Sequence, residues 1–314
     1  MAEIIRADEA FRHRCFQGAS CAFGVFDGVH LGHQFLIACA EASAQESSGK
    51  SIALTFDIDP DEKFHPDRLQ KLMTNEDRLA TLAESGVDAV VALPFTDELA
   101  AYGPLEFLEK AFNGVAPEIL HVGSGFRFGA KAQGTVQDLE EWGRQSGTLV
   151  CAHALEIIDG APVTSTRIRL LLNDAEVEKA NGLLGRPYYV RGNVVPGRGQ
   201  GGKLGFRTAN LHIDHLVQPL GDGVYAAVAT IEGRRYKAAV SIGVPPMFEG
   251  LTTANCEAHI LDYSGDLYGK ALKVEFLHYL RPMMRFDSPQ QLTEAVLSNI
   301  AWVRQHVALP EGTA

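Results

Sequence analysis

Two histidines three residues apart, behind a glycine turn, are the most chemically loaded feature of this chain. They lie in Ala22-Phe23-Gly24-Val25-Phe26-Asp27-Gly28-Val29-His30-Leu31-Gly32-His33-Gln34. An apolar run rises to Phe26, breaks at Asp27-Gly28, and resumes with helical spacing through Phe35, Leu36, Ile37 and Ala40. That pattern predicts a strand feeding a helix through a tight turn. Gly28 and Gly32 keep side chains away, so a ligand can approach the backbone closely. The helix start offers N–H groups and the positive end of the helix dipole, which suits a phosphate. On a helical start His30 and His33 share one face and can grip the same phosphate chain. The site expected here is a phosphate cradle of Gly24, Phe26, Asp27, Gly28 and Gly32. Its histidines would stabilise charge rather than attack. Two blander readings stand beside it. A lone histidine at such a junction is commonly structural, and two histidines also suit zinc, although no nearby Cys or third His completes that set.

A second loaded stretch is Gly197-Arg198-Gly199-Gln200-Gly201-Gly202-Lys203-Leu204-Gly205-Phe206-Arg207-Thr208-Ala209-Asn210. Its glycines, with Arg198 and Lys203 among them, make a basic loop able to wrap phosphates with backbone N–H groups. It is not a P-loop, because no Gly-Lys-Ser/Thr opens a helix. Composition alone fits a linker equally well.

The elements that must position these residues change character along the chain. Ser51 to Phe56 is a short apolar strand, Ile119 to Val122 another, and Leu149 to Ile158 is extended, while Val87 to Leu93 is a nearly all-apolar run suited to a parallel strand covered on both faces. Between them lie helical patterns: Thr74-Asn75-Glu76-Asp77 as a cap, Pro104 to Phe112, and Thr135 to Arg144. Alternating strands and helices imply a parallel sheet whose ligand sits beyond the strands' carboxyl ends, where the His30/His33 turn falls. Two further loops should share that end. One is the glycine-rich Val122-Gly123-Ser124-Gly125-Phe126-Arg127-Phe128-Gly129. The other is Thr164-Ser165-Thr166-Arg167-Ile168-Arg169, at the start of a helix reaching about Leu172. Alone, the latter reads as a helix cap followed by surface basic residues. Beside the histidine turn, Ser165, Thr166 and Arg169 read as a second phosphate clamp.

A helix over Asn173–Leu184 follows. Beyond it, Tyr188–Val195, Gly223–Ile231, Tyr236–Ile242, Cys256–Leu261 and Leu272–Phe276 are strand-like runs without helices between them. Antiparallel strands closing into a small barrel are the expected outcome. Ser288-Pro289 opens a last helix, with Leu292, Val296, Ile300 and Val303 as its apolar stripe.

At 314 residues the chain has room for two cores. With 46% hydrophobic and 21% charged residues it is ordinary in composition, and its net charge of -11 argues against general binding to nucleic acid or anionic membrane. Charges at Glu3, Arg6 and Asp8 stand where a secretory leader would be apolar. No apolar run reaches the ~18 residues that span a bilayer. Cys15, Cys21, Cys39, Cys151 and Cys256 lack C-x-x-C spacing, so a reducing cytoplasm is expected.

These motifs, in this order, resemble the bacterial bifunctional riboflavin kinase/FAD synthetases over nearly the whole chain. Gly24-Val25-Phe26-Asp27-Gly28-Val29-His30-Leu31-Gly32-His33-Gln34 is similar to the family's nucleotide-binding signature. Thr164 to Arg169 resembles its Ser-Ser-Thr-x-x-Arg segment, and 197–210 its G-x-G-x-x-x-L-G-F-P-T-A-N motif. The resemblance implies a Rossmann-like (HUP) nucleotidyltransferase domain over 1–185. It implies an antiparallel riboflavin-kinase barrel with a terminal helix over 186–314. It also implies the substrates and products ATP, riboflavin, FMN and FAD. In the kinase half it places Mg²⁺ on Thr208 and Asn210, with Gly199, Lys203 and Gly205 at the nucleotide phosphates. Cys256-Glu257-Ala258-His259 is similar to the strand carrying the family's catalytic glutamate, so Glu257 would be the general base. Without the resemblance Glu257 is a solvent-facing carboxylate.

Four positions depart from the pattern. Gly125 stands where the family usually has Asp or Asn, and Asp59 stands for a histidine in Phe56-Asp57-Ile58-Asp59-Pro60. Arg207 replaces a proline, and Met247 a threonine. The first two bear on the adenylyltransferase wall, with Asp59 expected to place an anion near phosphates. Two other outcomes therefore compete with a bifunctional enzyme: a riboflavin kinase alone, or a non-catalytic flavin-binding or regulatory protein. Partners expected are the small molecules named, with no nucleic acid and no membrane, and self-association is left open.

Overall fold

The structure, a computed structural model, describes residues 1–6, 8–9, 14–65, 70–197, 206–243 and 255–309. The chain divides into two compact units, residues 1–165 and 166–314.

In the first unit β1 (Glu3–Arg6), β2 (Ala19–Phe23), β3 (Lys50–Phe56), β4 (Ala89–Leu93), β5 (Ile119–Gly123) and β6 (Leu149–His153) form one sheet, ordered β1-β4-β3-β2-β5-β6. All its pairings are parallel. β2 and β4 are buried along their whole length, which explains their unbroken apolar runs. The crossovers carry α1 (Leu31–Ser47), α2 (Pro60–Phe64), α3 (Asn75–Ala83), α4 (Asp97–Ala101), α5 (Pro104–Phe112) and α6 (Val136–Ser146). Thr74 caps α3 through Oγ1, which accepts from the Asp77 N–H at 3.1 Å. Thr135 and Asp138 make a full capping box on α6. Phe23 lies at the middle of an aromatic core with Phe56, Phe107, Phe112 and Phe126, its ring centroid 5.0 to 6.4 Å from theirs. From β2 the chain steps outward to β3 and β4, then returns past β2 to lay β5 on its other side. The crevice where the strand order reverses therefore lies between the carboxyl ends of β2 and β5.

Two elements of this unit carry no sequence signal, and one expected run is shorter than its pattern. β1 is an edge strand with Ile5 as its single buried residue, so it has no apolar pattern to read. The acidic stretch after Phe56 contains α2. The extended run ends at His153, and β7 (Ile157–Ile158) and β8 (Ala161–Pro162) make a separate hairpin. Asp159 and Gly160 turn it with φ of 53° and 72°, the pair of positive values that an Asp-Gly hairpin turn requires.

The second unit opens with α7 (Ser165–Asn173, whose first residue belongs to the first unit) and α8 (Val177–Leu184). The expected Asn173–Leu184 helix is thus broken, at Asp174-Ala175, where Ala175 has a φ of 60°. Asn181 of α8 donates to the Phe276 carbonyl at 2.9 Å and accepts from the Tyr188 N–H at 2.6 Å. β9 (Tyr188–Val195), β10 (Ala209–Ile213), β11 (Gly223–Ile231), β12 (Arg234–Gly243), β13 (Asn255–Ile260) and β14 (Ala271–Arg281) close into an antiparallel barrel, ordered β10-β13-β12-β11-β14-β9. β10 is a strand the pattern did not predict, because its first two residues, Ala209 and Asn210, close the glycine-rich motif. β14 runs five residues beyond the expected Phe276 through two register shifts. α9 (Pro289–His306) starts as expected, with Ser288 Oγ accepting from the Gln291 N–H at 3.3 Å. Val303 is fully buried against Ala226, Val228, Ala239 and Leu261 of the barrel.

Candidate active sites

The turn after β2 carries backbone strain. Phe26, Gly28 and Val29 have φ of 61°, 79° and 39°. Non-glycine residues in that region cost about 1–3 kcal/mol each, a reservoir common at functional sites. Phe26 and Val29 are pinned there by complete burial. Gly28 is fixed twice over, since a Cβ at its position would lie 2.5 Å from Leu72 Cδ1. Asp27 ties the turn to two other segments. Its Oδ1 accepts from the Leu72 N–H at 2.9 Å, and its carbonyl accepts from Ser165 Oγ at 2.9 Å. Ser165 thus reaches the histidine turn, as expected.

His30 caps α1, with Nδ1 accepting from the His33 N–H at 3.3 Å. When neutral it therefore carries its proton on Nε2. The two imidazoles stack with centroids 3.6 Å apart and planes 17° from parallel, and the edge of Phe26 meets His33 at 5.3 Å. The pair is thus one preorganised unit rather than two independent side chains. A Cβ on Gly32 would meet only ordinary contacts, 3.4 Å from the His30 ring and 3.6 Å from the Val163 carbonyl. At Gly24 the nearest atom would be 3.3 Å away, on Phe26.

Across the crevice, the loop after β5 starts with Ser124 donating to the His153 carbonyl at 2.7 Å. Phe126 then turns back onto Phe23 and Phe128. Gly125 is exposed, and a Cβ there would meet nothing within 4 Å.

Asp59 has a structural task. It is the N-cap of α2, with Oδ1 accepting from the Asp61 N–H at 2.9 Å, and it forms a capping box with Glu62. Burial raises its carboxyl above the usual carboxylate range, opposed in part by Arg78. Arg78 escaped notice in the sequence. It is 2% exposed. Its Nη1 donates to the Val25 carbonyl at 3.0 Å and to Thr55 Oγ1 at 2.6 Å, and Nη2 to the Phe56 carbonyl at 2.8 Å. It thereby ties the end of β3 to the start of the histidine turn. Burial lowers its guanidinium's affinity for a proton, and Asp59 and Asp27 offset this. The only sequence signal for it was a charge on the apolar side of a capped helix.

In the second unit Thr166 is exposed and Arg169 half-buried, both on α7. In the barrel, Asn210 of β10 and Glu257 of β13 are direct register partners, and Glu257 faces Ser241 of β12 on its other side. Cys256, Ala258 and Ile260 fill the barrel interior, so by strand alternation Glu257 stands on the opposite face with Asn210. The sequence had placed these two residues 47 positions apart with no stated link, and the barrel register joins them. A Cβ on Gly197 would overlap the Asn210 amide, so the glycine makes the space that this amide occupies. His259 Nδ1 donates to the Arg207 carbonyl at 2.9 Å, anchoring the segment that carries Thr208 without the family's proline. Gly199, Lys203, Gly205 and Met247 lie outside the described residues.

Comparison with known proteins gives both halves a counterpart. The FAD synthetase family profile matches residues 13–167, and the riboflavin kinase profile residues 184–307. The bifunctional riboflavin kinase/FMN adenylyltransferase of Pseudomonas fluorescens is 34% identical over 92% of this chain and 93% of its own length. That of Escherichia coli K12 is 30% identical over 93% and 94%. A crystal structure described as a macrolide-efflux protein from Streptococcus pneumoniae superposes with a TM-score of 0.80 at 29% identity, covering 92% of this chain and 95% of that one. Among the described residues of this chain, no helix is long and apolar enough to cross a membrane.

Proposed function

The chain belongs to the family of bifunctional riboflavin kinase/FMN adenylyltransferases, and we propose that its two reactions are divided between the barrel and the parallel sheet. It phosphorylates riboflavin to FMN with ATP and adenylylates FMN to FAD. Flavins are thus substrate and product, and the cytoplasm, where ATP is made available, is the compartment we assign. We set the boundary between the activities at 185/186, close to the start of the kinase profile at 184.

In the barrel, Glu257 is the general base that takes the proton from the ribityl hydroxyl as the γ-phosphate transfers. The observation that carries this reading is the Asn210–Glu257 register pair. It sets a carboxylate beside an amide whose nitrogen side fills the space left by Gly197. Thr208 and Asn210 offer neutral oxygens, a hard donor set that fits Mg²⁺ shared with a nucleotide. When bound, the ion would neutralise phosphate charge. Gly199, Lys203 and Gly205 are assigned to the ATP phosphates.

In the first unit the FMN phosphate is itself the nucleophile, so no enzyme nucleophile is needed. His30 and His33 stabilise charge on the triphosphate from their stacked positions at the N-terminus of α1. Gly24, Phe26, Asp27, Gly28 and Gly32 shape the cradle, and Ser165, Thr166 and Arg169 grip the phosphates. Paired variants test the division. His33→Ala should lower FAD formation about 10²–10³-fold, as loss of one charge-stabilising donor does, and leave FMN formation unchanged. Glu257→Gln should lower FMN formation about 10²–10⁴-fold and leave FAD formation from supplied FMN unchanged. Equal loss of both products in either variant would refute it.

A further inference from the structure

On the face of the sheet covered by α1, a group of metal-donor side chains gathers that neither reaction uses. His121 of β5 and Cys151 of β6 are register partners. His153, two residues beyond Cys151, points to the same side by strand alternation. α1 brings Cys39 down onto them. One donor atom from each of Cys39, His121 and His153 lies within 4.8 Å of the other two. His121 Nδ1 and His153 Nε2 face each other at 2.9 Å, and their rings stack at 5.2 Å.

Two facing imidazole nitrogens share at most one proton. His121 is 4% exposed, and its Nε2 is buried without a hydrogen-bond partner.

We propose that Cys39, His121 and His153 bind one zinc-class divalent cation, with the fourth position open to water. One sulfur and two imidazole nitrogens are borderline donors that select zinc or cobalt over magnesium or calcium. Tetrahedral zinc, with bonds of about 2.0–2.3 Å, needs donors roughly 3.3–3.6 Å apart. Small side-chain adjustments reach that spacing from the present positions. Cys39 and His153 are half-buried, so an ion has a way in. Because the His153 carbonyl receives the Ser124 N–H, an ion here would brace the base of the loop that carries Gly125.

The test is optical titration of the full chain with Co²⁺ in the absence of nucleotide. One equivalent should produce a thiolate-to-cobalt charge-transfer band together with intense visible bands of a tetrahedral site, and Zn²⁺ should displace both. Cys39→Ser should abolish the charge-transfer band. His153→Ala should weaken Co²⁺ binding at least about tenfold. Cys151→Ser, which removes the neighbouring thiol, should retain the band. Circular dichroism of each variant reports folding independently, and Cys39→Ser, the near-isosteric change, keeps the test usable if His153→Ala unfolds. Absence of a thiolate band at one equivalent overturns the proposal. So does a band that survives Cys39→Ser or is lost in Cys151→Ser.

Discussion

A stacked histidine pair and a capped aspartate show how side-chain identity and side-chain task separate at the residue scale. His30 and His33 do what their spacing predicts, because a three-residue interval on a helix start fixes their face locally. Asp59 does not. It looks like an anion intruding on phosphates, yet its Oδ1 is committed to the first turn of α2. Gly125 is the departure expected to carry a chemical cost at the crevice. Its backbone avoids the left-handed region and its surroundings are empty, so Gly125→Asn should fold normally. A restored polar contact is worth about 1–3 kcal/mol, so KM for FMN should fall about tenfold. An unchanged KM would mean that the missing amide costs nothing. The sequence could flag Gly125 only by resemblance, whereas Arg78, buried and bonded to the turn after β2 and to the end of β3, was marked only as a charge on the apolar side of a capped helix.

Elements were legible where their ends carry their own chemistry. Ser288-Pro289, Thr74 and Thr135 all cap the helices they predict, since a cap satisfies donors a few residues away. β1 was not legible, because a short edge strand lacks the apolar alternation that burial imposes, and β10 was not, because its alternating Ala209–Ile213 runs straight out of the glycine-rich motif. Two predictions belong at this scale. In the β9–β10 connection, Gly197→Ala should displace the Asn210 amide. FMN formation should then fall and need more Mg²⁺ for half-maximal rate, while FAD formation from FMN persists; an unchanged Mg²⁺ requirement would detach Asn210 from the metal. In the first unit, Glu62 at the start of α2 holds Lys71 at 2.6 Å, with their side chains 18% and 4% exposed. Burial alone would raise the Glu62 carboxyl, but hydrogen bonds from Lys71 and Asn75 outweigh it and hold it below the usual range. A carboxylate so depressed stabilises the fold above its unfolded value near 4.3 and loses that contribution as pH falls through the lower folded value. Glu62→Gln strands a buried ammonium and should cost about 3 kcal/mol at pH 7. The deficit, read from urea midpoints of the first unit, should shrink as the pH drops below about 4. A deficit independent of pH would show that the pair contributes no charge interaction.

For the whole molecule, the order of motifs foretold a parallel sheet followed by a closed barrel, and both formed. Two juxtapositions were out of reach, because register and crossover bring together residues that are distant in the chain. One is Asn210 opposite Glu257 across the barrel strands. The other is Cys39, His121 and His153 under α1. The central claim is that one chain carries two working sites. Product chromatography tests it most directly, with pure protein given riboflavin, ATP and Mg²⁺ in one reaction and FMN, ATP and Mg²⁺ in another. FMN followed by FAD is expected in the first, and FAD with pyrophosphate in the second. FMN from the first reaction and no FAD from either would contradict it.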